Sequence, residues 1–239
     1  MGVPARPMAL TVPGCVLVAV GGVLLLKGLY DWSGRPDLAA ARLLQHERVV
    51  VLVAAALVAA AALPFHLAGE RGPALVVLVT ALVPVLLVLP GVSGGAMAFY
   101  SCLVTVPVGA AMALRTVLAP RTPVTVLAVL VFAVVAVAGS FLLVGLSDAV
   151  PFMAAFSEEE ARRAAVGRLT AGLAGLALVA APVLLFLADR KVGAGLAAPF
   201  ALVGLIVVLD SQTLAAWAAY LVTGPLAMGT SVHLLFTDR

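Results

Sequence analysis

The chain is 239 residues long, 64% hydrophobic and only 10% charged, with a mean hydropathy of +1.22. A soluble domain carries about 25% charged residues to cover its surface, so water is excluded as the solvent for most of this exterior, and a soluble enzyme with it. The formal charge of +3 comes from basic residues that flank apolar runs; that placement fits anchoring at lipid headgroups and argues against a nucleic-acid partner.

In lipid every backbone group must be paired internally, which leaves helices or a closed barrel. The apolar runs are continuous and do not alternate. The expected fold class is therefore an all-α integral membrane protein, a polytopic bundle of about eight transmembrane helices in one domain, residues 1–239. A span needs about 20 apolar residues. Leu10 to Tyr30 predicts the first, followed by a polar connection in which Pro36-Asp37-Leu38 suits the start of a short interfacial helix. Val49 to Leu67 predicts the second, closed by Gly69-Glu70-Arg71-Gly72-Pro73. Ala74 to Leu114 carries no charge and is twice the length of a span, so it must turn back, and Pro90-Gly91-Val92-Ser93-Gly94-Gly95 is where it does. That gives spans three and four. Arg115 to Pro123 is a basic loop and Val124 to Leu146 is span five.

A second polar connection, Asp148 to Arg168, contains Ser157-Glu158-Glu159-Glu160, the spacing of a capping box. A helix is expected to begin there and to run into span six, Leu169 to Leu187, with a Glu158–Arg162 pair on its solvated face. Asp189-Arg190-Lys191 closes that span. Val192 to Phe236 is again double length, interrupted only by Asp210, and predicts spans seven and eight. Cys15 and Cys102 fall inside apolar runs and read as small buried hydrophobes.

The halves share a plan: a span, a long polar connection, a span, a tight charged turn and a double-length hairpin. Glu70 aligns with Asp189 and Gly91 with Asp210 at one offset (189 − 70 = 210 − 91 = 119). Two parallel four-helix repeats, 9–114 and 124–236, follow from that reading. The basic residues divide seven against seven between the two faces. Short loops favour cytoplasmic termini, with Tyr30, Trp32, Phe152 and Trp217 as an outer aromatic belt, whereas Lys27 and Arg35 argue for the reverse.

Polar groups within an apolar bundle are costly and mark function. The Pro90–Gly95 hairpin leaves amides free at the start of span four, where an anion or a polar headgroup can be held, and Ser93, Tyr100, Ser101 and Thr105 follow it. Asp210 occupies the corresponding hairpin beside Ser211, Gln212 and Thr213. The candidate substrate-binding residues are Ser93, Gly94, Gly95, Tyr100, Asp210 and Gln212, with Ser93 and Asp210 expected on one side of the membrane. Gly91-Val92-Ser93-Gly94 is similar to the GxSG signature of rhomboid intramembrane proteases, which would make Ser93 a nucleophile and His233 its base. Val232 and Phe236 stand where that family carries alanine and glycine around its histidine, and the separation (233 − 93 = 140) exceeds the family's compact arrangement. Pro90-Gly91-Val92-Ser93-Gly94-Gly95 followed by Ala96-Met97-Ala98-Phe99-Tyr100 also resembles the PGVSGGT-type motif of bacterial polyprenyl-phosphate translocases, with Ala96 in place of threonine and no second copy at Leu209 to Thr213. That resemblance implies a re-entrant element for moving a lipid phosphate.

The function expected is that of a small carrier or permease-like protein for a lipid-like or other small amphiphilic substrate, in the plasma membrane. The alternatives are a non-catalytic subunit or scaffold of a membrane complex and, more remotely, an intramembrane serine hydrolase. No catalytic residue, metal or cofactor is expected. The partners expected are the bilayer, a small-molecule or lipid substrate, and further copies or other chains in a homo- or hetero-oligomer.

Overall fold

The computed structural model describes residues 6–33, 41–88, 95–118, 124–149, 157–209 and 214–237. Every element among them is a helix: α1 (Arg6–Ser33), α2 (Ala41–Ala60), α3 (Ala62–Leu67), α4 (Arg71–Val88), α5 (Gly95–Leu118), α6 (Val126–Ala149), α7 (Glu158–Leu178), α8 (Ala180–Leu187), α9 (Lys191–Leu209) and α10 (Ala215–Thr237). They form eight segments long and apolar enough to cross a bilayer, because α2 with α3 and α7 with α8 each make one span. The chain is an all-α polytopic membrane bundle, with its spans where the apolar runs placed them. Pro36-Asp37-Leu38 lies outside the described residues.

Proline sets the two breaks. Pro64 has no N–H to offer the carbonyl of Ala60, and Pro182 has none for Leu178, so the helix is interrupted at Ala61 and at Val179. The chain tightens there: the amide of Ala61 is shared between the carbonyls of Leu57 and Val58 at 3.2 Å each, and that of Val179 donates to Leu176 at 3.2 Å. Pro13, Pro84, Pro107, Pro199 and Pro225 lie inside helices that continue past them.

Both broken spans end in the same cap. In the first, the amide of Glu70 donates to Phe65 (2.9 Å) and that of Gly69 to His66 (3.0 Å); in the second, Arg190 donates to Leu185 (2.8 Å) and Asp189 to Phe186 (3.0 Å). These are Schellman motifs, whose pivot residue takes a left-handed conformation. The pivots are Gly69 at φ 88° and Asp189 at φ 60°. Their offset (189 − 69 = 120) makes Arg190, not Asp189, the hydrogen-bonding counterpart of Glu70.

Two compact units result, 1–124 (with residue 239) and 125–238. In the first, α1 packs on α2, α3 and α5, and α4 packs on the same three helices. In the second, α6 packs on α7, α8 and α10, and α9 packs on the same three; α6 and α9 also touch. Each unit is thus a ring of four spans in which the first and third each contact the second and fourth.

Small residues allow the close contacts. Without a hydrophobic drive between helices in lipid, close backbone approach and dispersion must hold them together. On α1, Gly14, Gly21 and Gly28 recur every seven residues. They face Phe65, Val58 and Val51, which recur at the same interval and are fully buried. Each of those side chains fills the space that a Cβ on its glycine would need. In the second unit the contact is backbone on backbone: a Cβ on Gly145 would come within 2.5 Å of the Ala171 nitrogen, and one on Gly204 within 2.6 Å of the Ala171 oxygen.

Buried hydroxyls return to their own helices. Thr80 donates to the carbonyl of Val76 (3.0 Å) and is also 3.2 Å from that of Thr105 on α5, Thr105 donates to Ser101, and Ser140 donates to Ala136. Cys102 is buried and Cys15 half-buried, the latter with its Sγ donating to the Ala113 carbonyl. Ser157 opens α7 with the expected capping box: its Oγ accepts from the Glu160 amide (3.2 Å) while Glu160 Oε2 accepts from the Ser157 amide (3.1 Å). The span of α7 and α8 is 30 residues, about 45 Å at 1.5 Å per residue. A hydrocarbon core is about 30 Å thick, so the charged turns from Glu158 to Arg168 project beyond it. Glu158 and Arg162 are both exposed there, and they do not form the expected ion pair.

Candidate functional site

Of the residues singled out in the sequence, Ser93, Gly94, Asp210 and Gln212 lie outside the described residues. Gly95 opens α5. Tyr100, one turn further along, is exposed; its ring lies 5.9 Å from that of Phe99, which in turn lies 5.8 Å from Tyr30 at the end of α1. Lys27 pairs with Asp31 at 2.6 Å on the same end of α1. Trp32 does not join an outward belt: it is only 9% exposed, with the Arg48 guanidinium 5.4 Å above its ring. A cation over an indole face is held by the ring's negative quadrupole, and this one covers the tryptophan from solvent. Phe152 is outside the described residues, and Trp217 is half-buried.

The described surface has a groove of about 690 Å³ in the second unit, between the first turns of α9 and the last turns of α10. That volume lies in the range of small-molecule sites. The local sequence builds it in three parts. The Schellman turn at Asp189 swings the chain so that Arg190 caps α9 through its carbonyl (Ala194 amide, 2.9 Å) and Lys191 begins the helix. With His233 from α10, these residues form the mouth. Val192 and Leu196 on α9, and Pro225, Leu226 and Leu234 on α10, form the walls. Gly193 and Gly229 leave the trough between them open: a Cβ on Gly229 would meet nothing within 4 Å, and one on Gly193 only ordinary contacts from 3.4 Å.

The polarity is graded along the axis. The single hydroxyl along the walls, that of Thr230, is spent on the Leu226 carbonyl (2.8 Å) within its own helix. The charged side chains at the mouth among the described residues are those of Asp189, Arg190 and Lys191. Lys191 Nζ is 3.3 Å from Asp189 Oδ1, with both side chains largely exposed, and such a pair contributes at most about 1 kcal/mol. The first amides of α9 add the positive end of the helix dipole. From His233 to Pro225 is eight residues, about 12 Å of helix, so the trough descends from the headgroup region to near the bilayer midplane. A charged mouth above an apolar shaft matches the form of an amphiphile.

In the sequence Asp189-Arg190-Lys191 reads as the close of a span, with Asp189 aligned to Glu70, and His233 as the base of a serine–histidine pair. The signal for the groove was present in the glycines at 193 and 229, near a basic turn. It could be read only once α9 and α10 were known to pack on each other. The chain matches no protein-family model, no curated protein and no solved structure.

Proposed function

We propose that the chain is a small carrier of amphiphilic, lipid-like molecules in the plasma membrane. The observation that carries this reading is the graded groove between α9 and α10, open along its side and polar only at its mouth. The common packing plan of the two units supports reading them as internal repeats, residues 9–114 and 124–236. Carriers built from such repeats typically form their sites at discontinuous helices. Asp210 and Gln212, in the second unit, and Ser93, Gly94, Gly95 and Tyr100, in the first, are proposed as further polar contacts for a substrate's headgroup, each set within its own unit.

The test is movement of a fluorescent lysophospholipid between the leaflets of proteoliposomes, read by loss of the signal accessible to an impermeant reductant. The full chain is expected to accelerate that movement over protein-free vesicles, and Gly229→Leu, which fills the trough, to slow it. A rate equal to that of empty vesicles would sink the carrier reading.

A further inference from the structure

We propose that the groove is gated: α8, the turn at Asp189 and the first turns of α9 swing against the last turns of α10 about a plane of three prolines, opening and closing the trough. The gating role rests on the carrier reading above; the flexing itself does not.

The plane follows from position. Pro182 lies eight residues before Arg190, Pro199 eight after Lys191 and Pro225 eight before His233 (190 − 182 = 199 − 191 = 233 − 225 = 8). Pro199 and Pro225 therefore sit about 12 Å of helix from the mouth, and Pro182, with a turn between it and Arg190, slightly less. None of the three has an N–H for the carbonyl four residues earlier, so the helices lose one bond each at Leu178, Gly195 and Leu221. At Val179 the chain has tightened to a three-residue bond, its amide donating to Leu176 at 3.2 Å, and such a stretch within a helix often marks a hinge. The corresponding helices of the first unit carry their mid-helix prolines at staggered depths. Pro64 is six residues from Glu70, Pro84 is 13 from Arg71 and Pro107 is 11 from Leu118 (70 − 64 = 6, 84 − 71 = 13, 118 − 107 = 11).

Packing changes at the same plane. Beyond the prolines α9 is locked in place. The rings of Phe200 and Tyr220 are 5.4 Å apart, a Cβ on Gly224 would come within 3.2 Å of Phe200, and one on Gly204 within 2.6 Å of the Ala171 oxygen. On the groove side a Cβ on Gly195 or Gly229 would meet nothing within 4 Å, and one on Gly193 only Thr230 and Leu185, from 3.4 Å outwards. Close-packed parts resist deformation, and loosely packed ones yield. The Schellman turn, with Arg190 donating to Leu185 and Asp189 to Phe186, ties α8 to the start of α9, so the two move as one hairpin. A bend of about 20° over about 12 Å of helix carries its tip about 4 Å, a large change for a trough made by two missing side chains.

The experiment is electron paramagnetic resonance on the full chain in lipid nanodiscs, with Cys15 and Cys102 changed to alanine and spin labels on pairs of introduced cysteines. The pair Val192→Cys/His233→Cys spans the mouth, and Leu202→Cys/Val222→Cys spans the same two helices beyond the prolines; all four positions are exposed. Distances across the mouth are expected to spread about 4 Å more widely than those of the reference pair. Pro182→Ala/Pro199→Ala, which restores two helical bonds and introduces the best helix former, is expected to bring the mouth down to the reference spread, while Pro84→Ala in the first unit changes neither. Equal spreads in the unmodified chain, a mouth spread that survives the double substitution, or the same narrowing by Pro84→Ala would overturn the proposal. In proteoliposomes the double substitution is expected to slow lysophospholipid movement several-fold; movement at the parent rate by a narrowed mouth would overturn the gate. A flexing mouth in a chain that moves no lysophospholipid leaves the hinge in place and removes the carrier reading alone.

Discussion

Gly175 on α7 and Gly204 on α9 cross with backbone against backbone: a Cβ on either would lie within 2.8 Å of the other's Cα. No rotamer relieves a clash with a main-chain atom, so Gly175→Val must push the helices apart. Overpacking of this kind costs about 1–3 kcal/mol. Gly195→Val on the same α9 meets nothing within 4 Å and is expected to stay within about 0.5 kcal/mol of the parent. Thermal unfolding in detergent, followed by size-exclusion recovery, checks the pair; equal loss in both variants would refute the close crossing. The pivots of the two Schellman turns give a second residue-scale contrast. Gly69→Ala forces a side chain into a left-handed conformation and is expected to cost about 1–2 kcal/mol, whereas Asp189→Gly relieves one and is expected to stabilise slightly. A loss of stability at Asp189→Gly in the same melts would show that the aspartate side chain matters more than its backbone.

At the scale of elements, apolar run length and turn chemistry were legible, and the broken spans were not. Ser157 with Glu160 fixed the start of α7 because a capping box depends only on neighbours in sequence. Ser157→Ala is expected to cost about 1 kcal/mol at that end, read as faster amide exchange over 158–165 with the rest of α7 unchanged; uniform exchange across α7 would contradict it. Eight prolines fall within the spans, and only Pro64 and Pro182 interrupt theirs. Of the other six, Pro73 sits in the first turn of α4, where its missing N–H costs no helical bond, and five lie inside helices that continue past them, so proline by itself does not determine where a span breaks. The heptad pairing of Gly14, Gly21 and Gly28 with Phe65, Val58 and Val51 likewise involves two elements at once. Neither element announces it alone, since glycine and valine are common in every span of this chain.

For the whole molecule, composition alone required a lipid-facing helical bundle, and the eight spans followed from counting runs. Within the second unit the order of spans puts Glu159 and Leu214 at one face and Asp189 at the other. In a chain with Cys15 and Cys102 changed to alanine, single cysteines at these three positions are expected to react with an impermeant thiol reagent from opposite faces in that pattern. Labelling of all three from one face would remove a span. The groove was not legible, because a site made from absent side chains on two packed helices leaves no motif. What the sequence showed of it was a basic turn and glycines spaced along neighbouring runs. The claim that joins fold to function is that a lipid tail lies in that trough. A phospholipid with a photoactivatable diazirine in its acyl chain, irradiated in membranes that contain the full chain, tests this most directly. The account predicts adducts concentrated on peptides covering 192–196 and 225–230 and lost in Gly229→Leu; adducts spread evenly over the exposed faces of all eight spans would contradict it.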